Sequence, residues 1–232
     1  MFRFKQFTIH DDQCAMKVGT DGVLLGAWVN TDQAQTVLDI GTGSGMIALM
    51  LAQRALNTVV IDAIEIESTC AQQAMQNVAS SPWADRINVY HSALQDFAIN
   101  KTYDLIVSNP PYFQNSMLPP NTSRANARHA NTLPLHHLIS CVRSLLADGG
   151  RLAVVLPFEE GKGFISLASI EGLYCIRECS FFSRKGKKQE RWLLEFAREP
   201  QLTQKEELVL HGNGETWSED YQRLTRAFYL KL

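Results

Sequence analysis

The chain has 232 residues, of which 45% are apolar, so it can bury one substantial hydrophobic core. Its 14 glycines and 8 prolines are too few for a disordered or fibrous protein, and its net charge of −2 does not define a class of partner. No stretch approaches the roughly 18 consecutive apolar residues of a membrane span, and the charged first residues do not form an export signal. We therefore expect one cytoplasmic domain over residues 1–232, with residues 1–34 as an N-terminal extension.

From residue 36 onward, short apolar runs alternate with segments that have apolar residues at helical spacing. The runs are nearly continuous and rich in β-branched residues, which is typical of parallel strands buried on both faces. Strands are predicted at 36–40, 58–67, 86–90, 103–109, 151–157, 173–183 and 190–197. Helices are predicted at 46–55, 68–79, 135–146, 159–171 and 218–230. This order predicts an α/β fold with a doubly wound, mostly parallel seven-stranded sheet, helices on both faces and an antiparallel last strand.

The cysteines and histidines do not indicate a metal site. The spacing of the five cysteines matches no metal-binding motif, and their odd number argues against a disulfide framework. The six histidines also lack the spacing of metal ligands. We therefore expect buried thiols in a reducing compartment and no bound metal.

The first predicted strand leads into the sequence LDIGTGSG, residues 38–45. Glycines in such a turn let the backbone pass close to a ligand. A dinucleotide-binding turn would have glycine or alanine at position 46, where this chain has Met46. The tighter loop favours a ligand without a pyrophosphate, and Asp39 would repel phosphate but attract a cationic amino group. The candidate cofactor-binding residues of this loop are Asp39, Gly41, Thr42, Gly43 and Gly45.

The second predicted strand places Glu65 beside the glycine loop, because the carboxyl ends of parallel strands meet at one edge of a sheet. A carboxylate in this place can accept hydrogen bonds from both ribose hydroxyl groups of an adenosine. Glu65 is therefore a further candidate for cofactor binding, and a strand end exposed only to solvent is the alternative interpretation.

The fourth predicted strand ends in SNPPY, residues 108–112. Two consecutive prolines turn the chain out of the sheet and leave Asn109 at the edge where ligands bind. The nitrogen of a planar amine is a poor nucleophile because its lone pair is delocalised into the ring. The Asn109 carboxamide oxygen and the Pro110 carbonyl can each accept one N–H of such a nitrogen and stabilise the positive charge that develops on it. A flat base can stack on Tyr112. The catalytic candidates are Asn109, Pro110, Pro111 and Tyr112.

Charge is distributed unevenly along the chain. Residues 31–108 contain three basic and eight acidic side chains, whereas residues 109–199 contain twelve basic and eight acidic ones. This asymmetry indicates a polyanionic partner for the second half. The residues that we expect to contact the phosphates of such a partner are Arg124 and Arg128 after SNPPY, and Arg184, Lys185, Lys187, Lys188 and Arg191 around the predicted hairpin. A charged turn that faces only solvent is the alternative.

The combination of DIGTGSG, Glu65 and NPPY resembles the class I S-adenosylmethionine (SAM) methyltransferases that modify the planar nitrogen of adenine, guanine or glutamine. The resemblance implies SAM as the cofactor. It also implies that residues 1–34 cap the cofactor, because CAMKVGTDGVLLGAW at 14–28 is similar to a segment of this group. The further cofactor contacts that it implies are Lys17, Thr20, Asp21, Asp96 and Asn109. The chain departs from the group at Ala93, where an acidic residue is more usual.

Over most of its length the chain resembles the bacterial tRNA(Val) adenine-37 N6-methyltransferases. The matching segments are KQF near the start, residues 14–28, IALMLAQR, SPWADRINV, SNPPYF and AFYL. This resemblance implies methylation of adenine 37 in a tRNA anticodon stem-loop. Two other enzymes are alternatives, a protein glutamine N5-methyltransferase and an rRNA guanine N2-methyltransferase, although both usually carry an additional domain. A non-catalytic RNA-binding module with a vestigial cofactor fold is the alternative from another class.

Overall fold

The computed structural model describes residues 1–111, 135–212 and 214–231. Its strands are β1 (Phe2–Arg3), β2 (Thr8–Ile9), β3 (Thr36–Ile40), β4 (Val60–Glu65), β5 (Ile87–His91), β6 (Tyr103–Ser108), β7 (Leu146–Pro157), β8 (Tyr174–Arg184), β9 (Arg191–Ala197) and β10 (Gln204–His211). Its helices are α1 (Thr20–Trp28), α2 (Met46–Arg54), α3 (Ser68–Ala79), α4 (Leu135–Leu145), α5 (Phe158–Ile170) and α6 (Glu219–Thr225). A short 3-10 turn, Leu94–Asp96, follows β5.

Eight of these strands form one sheet in the order β10-β8-β9-β7-β6-β3-β4-β5. Neighbouring strands are parallel except around β9, which runs antiparallel to both β7 and β8. The doubly wound, mostly parallel sheet is therefore confirmed, and so is the antiparallel direction of the seventh predicted strand. The sheet has an eighth strand, β10, which the sequence does not predict. Its first four residues are polar and exposed, so they do not show the apolar pattern of the buried strands.

Helices cover both faces of the sheet, as predicted. Alternate residues of a strand point to opposite faces. On β3, Val37 belongs to a core that includes α1 and α2, whereas Leu38 and Ile40 belong to a core that includes α4 and α5. Because both faces are covered, the ends of the strands are the places where a ligand can approach the sheet.

The two ends of the chain pack against each other through aromatic side chains. β1 and β2 form a small antiparallel hairpin. Phe4, which is buried next to this hairpin, has its ring centroid 4.7 Å from that of Phe7 and 6.4 Å from that of Phe228. The backbone N–H of Lys5 donates to the carbonyl of Phe228 at 2.8 Å. The first residues are therefore anchored on the end of the chain.

The prediction that the cysteines are all free thiols is wrong. Cys14 and Cys70 form a disulfide across a sequence separation of 56 residues, with their Cα atoms 4.8 Å apart. The reason is topological, since residues 10–14 pack on α3 and bring together two cysteines that the sequence keeps apart. An odd number of cysteines excludes only complete pairing. The other three cysteines, Cys141, Cys175 and Cys179, are free.

Two features of the described residues concern membrane insertion and metal binding. None of the helices within 1–111, 135–212 and 214–231 is long and apolar enough to cross a membrane. Over the same ranges, no group of three or more His, Cys, Asp or Glu side chains is arranged to hold a metal ion.

Candidate functional site

Three strands bring the sequence motifs to one edge of the sheet, which we call the carboxyl edge. Ile40 at the end of β3 is aligned with Ile64 of β4 and with Ser108 of β6. The hydroxyl of Ser108 donates to the carbonyl of Ile40 at 2.9 Å and ties these strand ends together. The glycine loop 41–45, Glu65 and Asn109 therefore lie close to one another.

The glycine loop is held firmly and borders open space. Gly41 and Gly43 have φ angles of 69° and 57°, in the left-handed region that favours glycine. A Cβ atom built on either glycine would meet no atom within 4 Å. The backbone N–H groups of Gly41 and Thr42 both donate to the carbonyl of Ile64, at 2.9 and 3.0 Å. A ligand can therefore come close to a backbone that is already fixed.

Asp39 is completely buried beneath this loop. Its Oδ2 accepts hydrogen bonds from the Thr42 hydroxyl at 2.6 Å and from the backbone N–H of Ala48, in the first turn of α2, at 3.1 Å. Its Oδ1 has no hydrogen-bond partner. Burial raises the pKa of Asp39 to about 7, against the effect of its two hydrogen bonds, and the nearby Glu65 raises it further. A buried carboxyl group with one unpartnered oxygen fits a ligand that carries a cationic group.

Glu65 ends β4 with its carboxylate fixed by two backbone groups. Its Oε2 accepts from the N–H of Gly43 at 2.9 Å, and its Oε1 accepts from the N–H of Glu67 at 3.0 Å. Each carboxylate oxygen has a second lone pair, so each can also accept a hydrogen bond from a ligand hydroxyl. This arrangement supports the predicted contact between Glu65 and a ribose.

The residue after Glu65 is a candidate that the sequence reasoning missed. The side chain of Ile66 is 44% exposed, although isoleucine is usually buried. Its carbonyl oxygen lies 3.0 Å from His91 Nε2, which holds this segment against the end of β5. An exposed apolar side chain next to Glu65 offers a surface for the flat ring of a nucleoside.

Asp96 is exposed in the turn after β5, and its contact with a cofactor stays a prediction.

Asn109 follows β6 directly and is half-buried, while Pro110 is buried and Pro111 is exposed. The Asn109 carboxamide nitrogen lies 3.8 Å from the place where a Cβ atom on Gly22 would stand, so the first turn of α1 packs beside it. The same Cβ would lie 2.4 Å from the terminal methyl group of Met46, so a larger residue at position 22 would require that flexible side chain to move. Tyr112 lies outside the described residues.

Lys17 orders the loop that contains it. Its ammonium group donates to the carbonyls of Asp11 at 2.6 Å, Asp12 at 3.3 Å and Cys14 at 2.9 Å. Thr20 is exposed at the start of α1. The contacts of Lys17 and Thr20 with a cofactor, which the family resemblance implies, stay predictions.

Two buried polar side chains on α3 were also missed. Gln73 and Asn77 are 3% and 2% exposed. Gln73 forms hydrogen bonds with residues 12–13, and Asn77 joins His10 to the carbonyl of Ser44 in the glycine loop. Their spacing of four residues places them on one face of the predicted helix. Polar side chains at that spacing usually indicate a solvated face, so the sequence carries no distinguishing signal.

The turn between β8 and β9, residues 185–190, lies at the carboxyl edge because β8 runs in the same direction as β7. Its exposed lysines are Lys185, Lys187 and Lys188. Arg184 forms an ion pair with Glu215, and Arg191 donates to the carboxylate of Asp21 at 2.8 Å. Both arginines thus have partners within the protein, and their contact with RNA stays a prediction, whereas the three lysines are exposed. Arg124 and Arg128 lie outside the described residues.

Comparison with known proteins gives matches over the whole chain. The family model described as methyltransferase small domain matches residues 14–162. The chain is 46% identical over 234 residues to a tRNA1(Val) (adenine(37)-N6)-methyltransferase from Parabacteroides distasonis, covering 100% of this chain and 98% of the relative. A protein of the same name from Escherichia fergusonii is 42% identical over 231 residues, covering 99% of this chain and 94% of the relative.

Solved structures show the same fold at low sequence identity. A predicted O-methyltransferase from Agrobacterium tumefaciens has a TM-score of 0.68 and 17% identity, covering 90% of this chain and 96% of that chain. The glycopeptide N-methyltransferase MtfA, solved in complex with SAM, has a TM-score of 0.59 and 13% identity, covering 79% of this chain and 100% of that chain. At these identities the similarity shows a shared fold.

Proposed function

Because the chain belongs to the methyltransferase small-domain family, we propose that it transfers a methyl group from SAM to N6 of adenine 37 in the anticodon loop of tRNA(Val). The observation that carries this proposal is the convergence of the glycine loop, Glu65 and Asn109 at the carboxyl edge. The relatives that match the whole chain at 42–46% identity are named for this reaction, which supports the choice of substrate.

The residues at the carboxyl edge fit SAM. Glu65 would accept hydrogen bonds from the ribose hydroxyl groups, and the unpartnered Oδ1 of Asp39 would attract the amino group of the methionine moiety. The open space beside Gly41 and Gly43 allows the cofactor to approach the backbone. When bound, SAM supplies an electrophilic methyl group on a positively charged sulfur.

The chain itself prepares the adenine nitrogen. The N6 lone pair is delocalised into the ring, so the nitrogen must become pyramidal before it can attack. The Asn109 carboxamide oxygen and the Pro110 carbonyl would each accept one N6–H and would stabilise the positive charge that develops on the nitrogen. A strong general base is not required, because the proton leaves N6 only after the methyl group has been transferred.

The RNA must present a base that is normally stacked on its neighbours. Extruding an adenine costs a few kcal/mol, and less in a loop than in a duplex. Stacking on Tyr112 would offset about 1–3 kcal/mol of this cost. Phosphate contacts from Lys185, Lys187 and Lys188, which are exposed at the same edge, would hold the anticodon stem-loop.

We further infer that residues 1–232 act as one domain in the cytoplasm. This location rests on the tRNA substrate, because the Cys14–Cys70 disulfide removes the argument from free thiols. The bonds that join His10 to the glycine loop through Asn77 support a capping role for residues 1–34. The packing of Phe4 on Phe228 supports a single folding unit.

The proposed function is tested with purified protein, SAM labelled in its methyl group, and tRNA, followed by mass spectrometry of the nucleosides. We expect labelled N6-methyladenosine at position 37 of tRNA(Val) and no reaction with free adenosine or double-stranded DNA. Asn109→Ala is the matched control, because it leaves the glycine loop and Glu65 in place.

Other products would identify the alternatives. In parallel reactions with rRNA and with a release factor, label in N2-methylguanosine or in a glutamine side chain would replace the proposed substrate with one of these two. Binding of SAM and RNA without any methyl transfer would indicate a non-catalytic RNA-binding module.

A further inference from the structure

One face of α3 holds the segment of residues 10–14, which we call the strap. Cys70, Gln73 and Asn77 are three and four residues apart, so they form a stripe along the helix. The contacts of this stripe with the strap are the Cys14–Cys70 disulfide, the hydrogen bonds of Gln73 with Asp12 and Gln13, and those of Asn77 with His10. The strap is therefore fixed at three successive points.

Asn77 differs from the other two because it also contacts the glycine loop. Its Nδ2 donates to the carbonyl of His10 at 2.7 Å and to the carbonyl of Ser44 at 2.8 Å. Its Oδ1 accepts from the backbone N–H of His10 at 3.0 Å. Both N–H donors of the carboxamide are thus used, and the side chain is only 2% exposed. A single buried carboxamide joins the strap to the loop.

The hydrogen bond between Asn77 and Ser44 affects the proposed cofactor site, because Ser44 lies in the glycine loop. Ser44 follows Gly43, whose backbone N–H donates to Glu65 at 2.9 Å. A shift of the Ser44 carbonyl would therefore move the loop relative to the carboxylate that faces the ribose. Asn77 also bonds to His10, the first residue of the strap. The strap is followed in the chain by Lys17, at the start of the segment that is expected to cover the cofactor.

We propose that Asn77 is a positioning residue that holds the glycine loop and the strap as one unit, so that the N-terminal segment covers SAM in a fixed register with the loop. This inference rests on the proposed function, because it requires the loop to bind SAM. Asn77 touches neither substrate, so its effect falls on the affinity for the cofactor and not on the activation of adenine.

The test compares Asn77→Ala with Gln73→Ala, which removes strap contacts from the same stripe but leaves the Ser44 carbonyl bonded. We expect Asn77→Ala to raise the KM for SAM at least tenfold, with kcat at saturating SAM within threefold of wild type and the KM for tRNA unchanged. Gln73→Ala should change the KM for SAM less than threefold. Circular dichroism establishes that each variant is folded.

A second variant and a second measurement keep the test decisive. Asn77→Asp has the same size, and at a pH high enough to ionise it the carboxylate can accept from His10 N–H but cannot donate to Ser44. It should therefore also raise the KM for SAM, which keeps a measurement available if Asn77→Ala does not fold. SAM should slow tryptic cleavage after Lys17 in wild type and in Gln73→Ala, but not in the Asn77 variants.

Three results separate the inference from the proposed function. A wild-type KM for SAM in both folded Asn77 variants would overturn the positioning role, and so would a loss of kcat with an unchanged KM for SAM. Failure of the wild-type protein to bind SAM would instead overturn the proposed function.

Discussion

A buried carboxyl group is costly to ionise, and Asp39 carries this cost beneath the glycine loop. In the folded protein its pKa is about 7, whereas its ordinary value is 3.8, so the folded state holds one more proton between these values. The contribution of Asp39 to stability is therefore complete below pH 3.8 and is lost as the pH rises towards 7. A cation next to Oδ1 would favour the ionised form, so the proposed contact with the SAM amino group would release this proton.

We therefore expect the affinity for SAM to rise as the pH rises through the pKa of Asp39. With a pKa of about 7, roughly one tenth of Asp39 is ionised at pH 6, so SAM should bind about tenfold more weakly at pH 6 than at pH 8. Calorimetry at both pH values measures the affinity, and buffers of different ionisation enthalpy reveal the released proton. Asp39→Asn should bind SAM weakly at both. Equal wild-type affinities at pH 6 and pH 8 would contradict the role given to Oδ1.

We expect Asn109 to act in the methyl transfer itself more than in cofactor binding. Asn109→Ala should reduce single-turnover methylation by about 10²-fold or more, by analogy with the loss of one preorganised polar group. The affinity for SAM should stay close to that of wild type, because Asp39 and Glu65 are unchanged. Rapid-quench measurement with saturating SAM and tRNA gives the rate. A rate within a few fold of wild type would remove Asn109 from the proposed mechanism.

Residues whose role depends on local sequence were predictable, and residues whose role depends on packing were not. The glycine loop, Glu65 and Asn109 follow directly from strand ends, so their meeting at one edge could be deduced from the order of the strands. Asn77 is recognisable only when the strap lies against α3, because an asparagine near the end of a helix is otherwise unremarkable. Ile66 looks like part of the preceding strand in the sequence.

At the scale of elements, buried strands and amphipathic helices were predicted well. The predicted bounds 36–40 and 68–79 match β3 and α3. β10 and the β1–β2 hairpin were missed, because an edge strand with a polar half and strands of two residues each carry little periodic signal. Long-range pairing was the other failure, since nothing in the local pattern brings Cys14 to Cys70.

That disulfide ties the N-terminal segment to α3, and its removal should destabilise the fold. Closing a loop with a sequence separation of 56 restricts the unfolded chain, and such bonds typically contribute about 2–4 kcal/mol. We expect reductant to lower the free energy of unfolding by this amount, measured by urea denaturation. Cys70→Ala should unfold equally with and without reductant, whereas Cys141→Ala should keep the wild-type response. An unchanged free energy of unfolding of the wild-type protein in reductant would contradict the prediction.

At the scale of the whole molecule, the charges are arranged around the carboxyl edge. The acidic first half supplies Asp39 and Glu65, which we propose bind the cofactor, and the more basic second half supplies the turn 185–190. One edge of the sheet can thus attract a cationic cofactor and a polyanionic RNA at neighbouring places. This arrangement predicts that the lysines of the turn act on RNA of any sequence, since phosphate contacts carry no base information.

Replacing Lys187 and Lys188 by alanine should weaken the binding of all RNAs and flatten its dependence on salt. Each phosphate contact of a single-stranded RNA contributes about 0.7 to the slope of log K against log salt, so the double variant should lose about 1.4. Filter binding at several salt concentrations measures the slope for tRNA(Val) and for an unrelated stem-loop. Lys205→Ala is the control, because Lys205 is exposed near the start of β10, at the opposite edge of the sheet, and pairs with Glu178 at 3.0 Å. If the double variant keeps the wild-type slope, the turn is exposed only to solvent and the phosphate contacts must come from other residues.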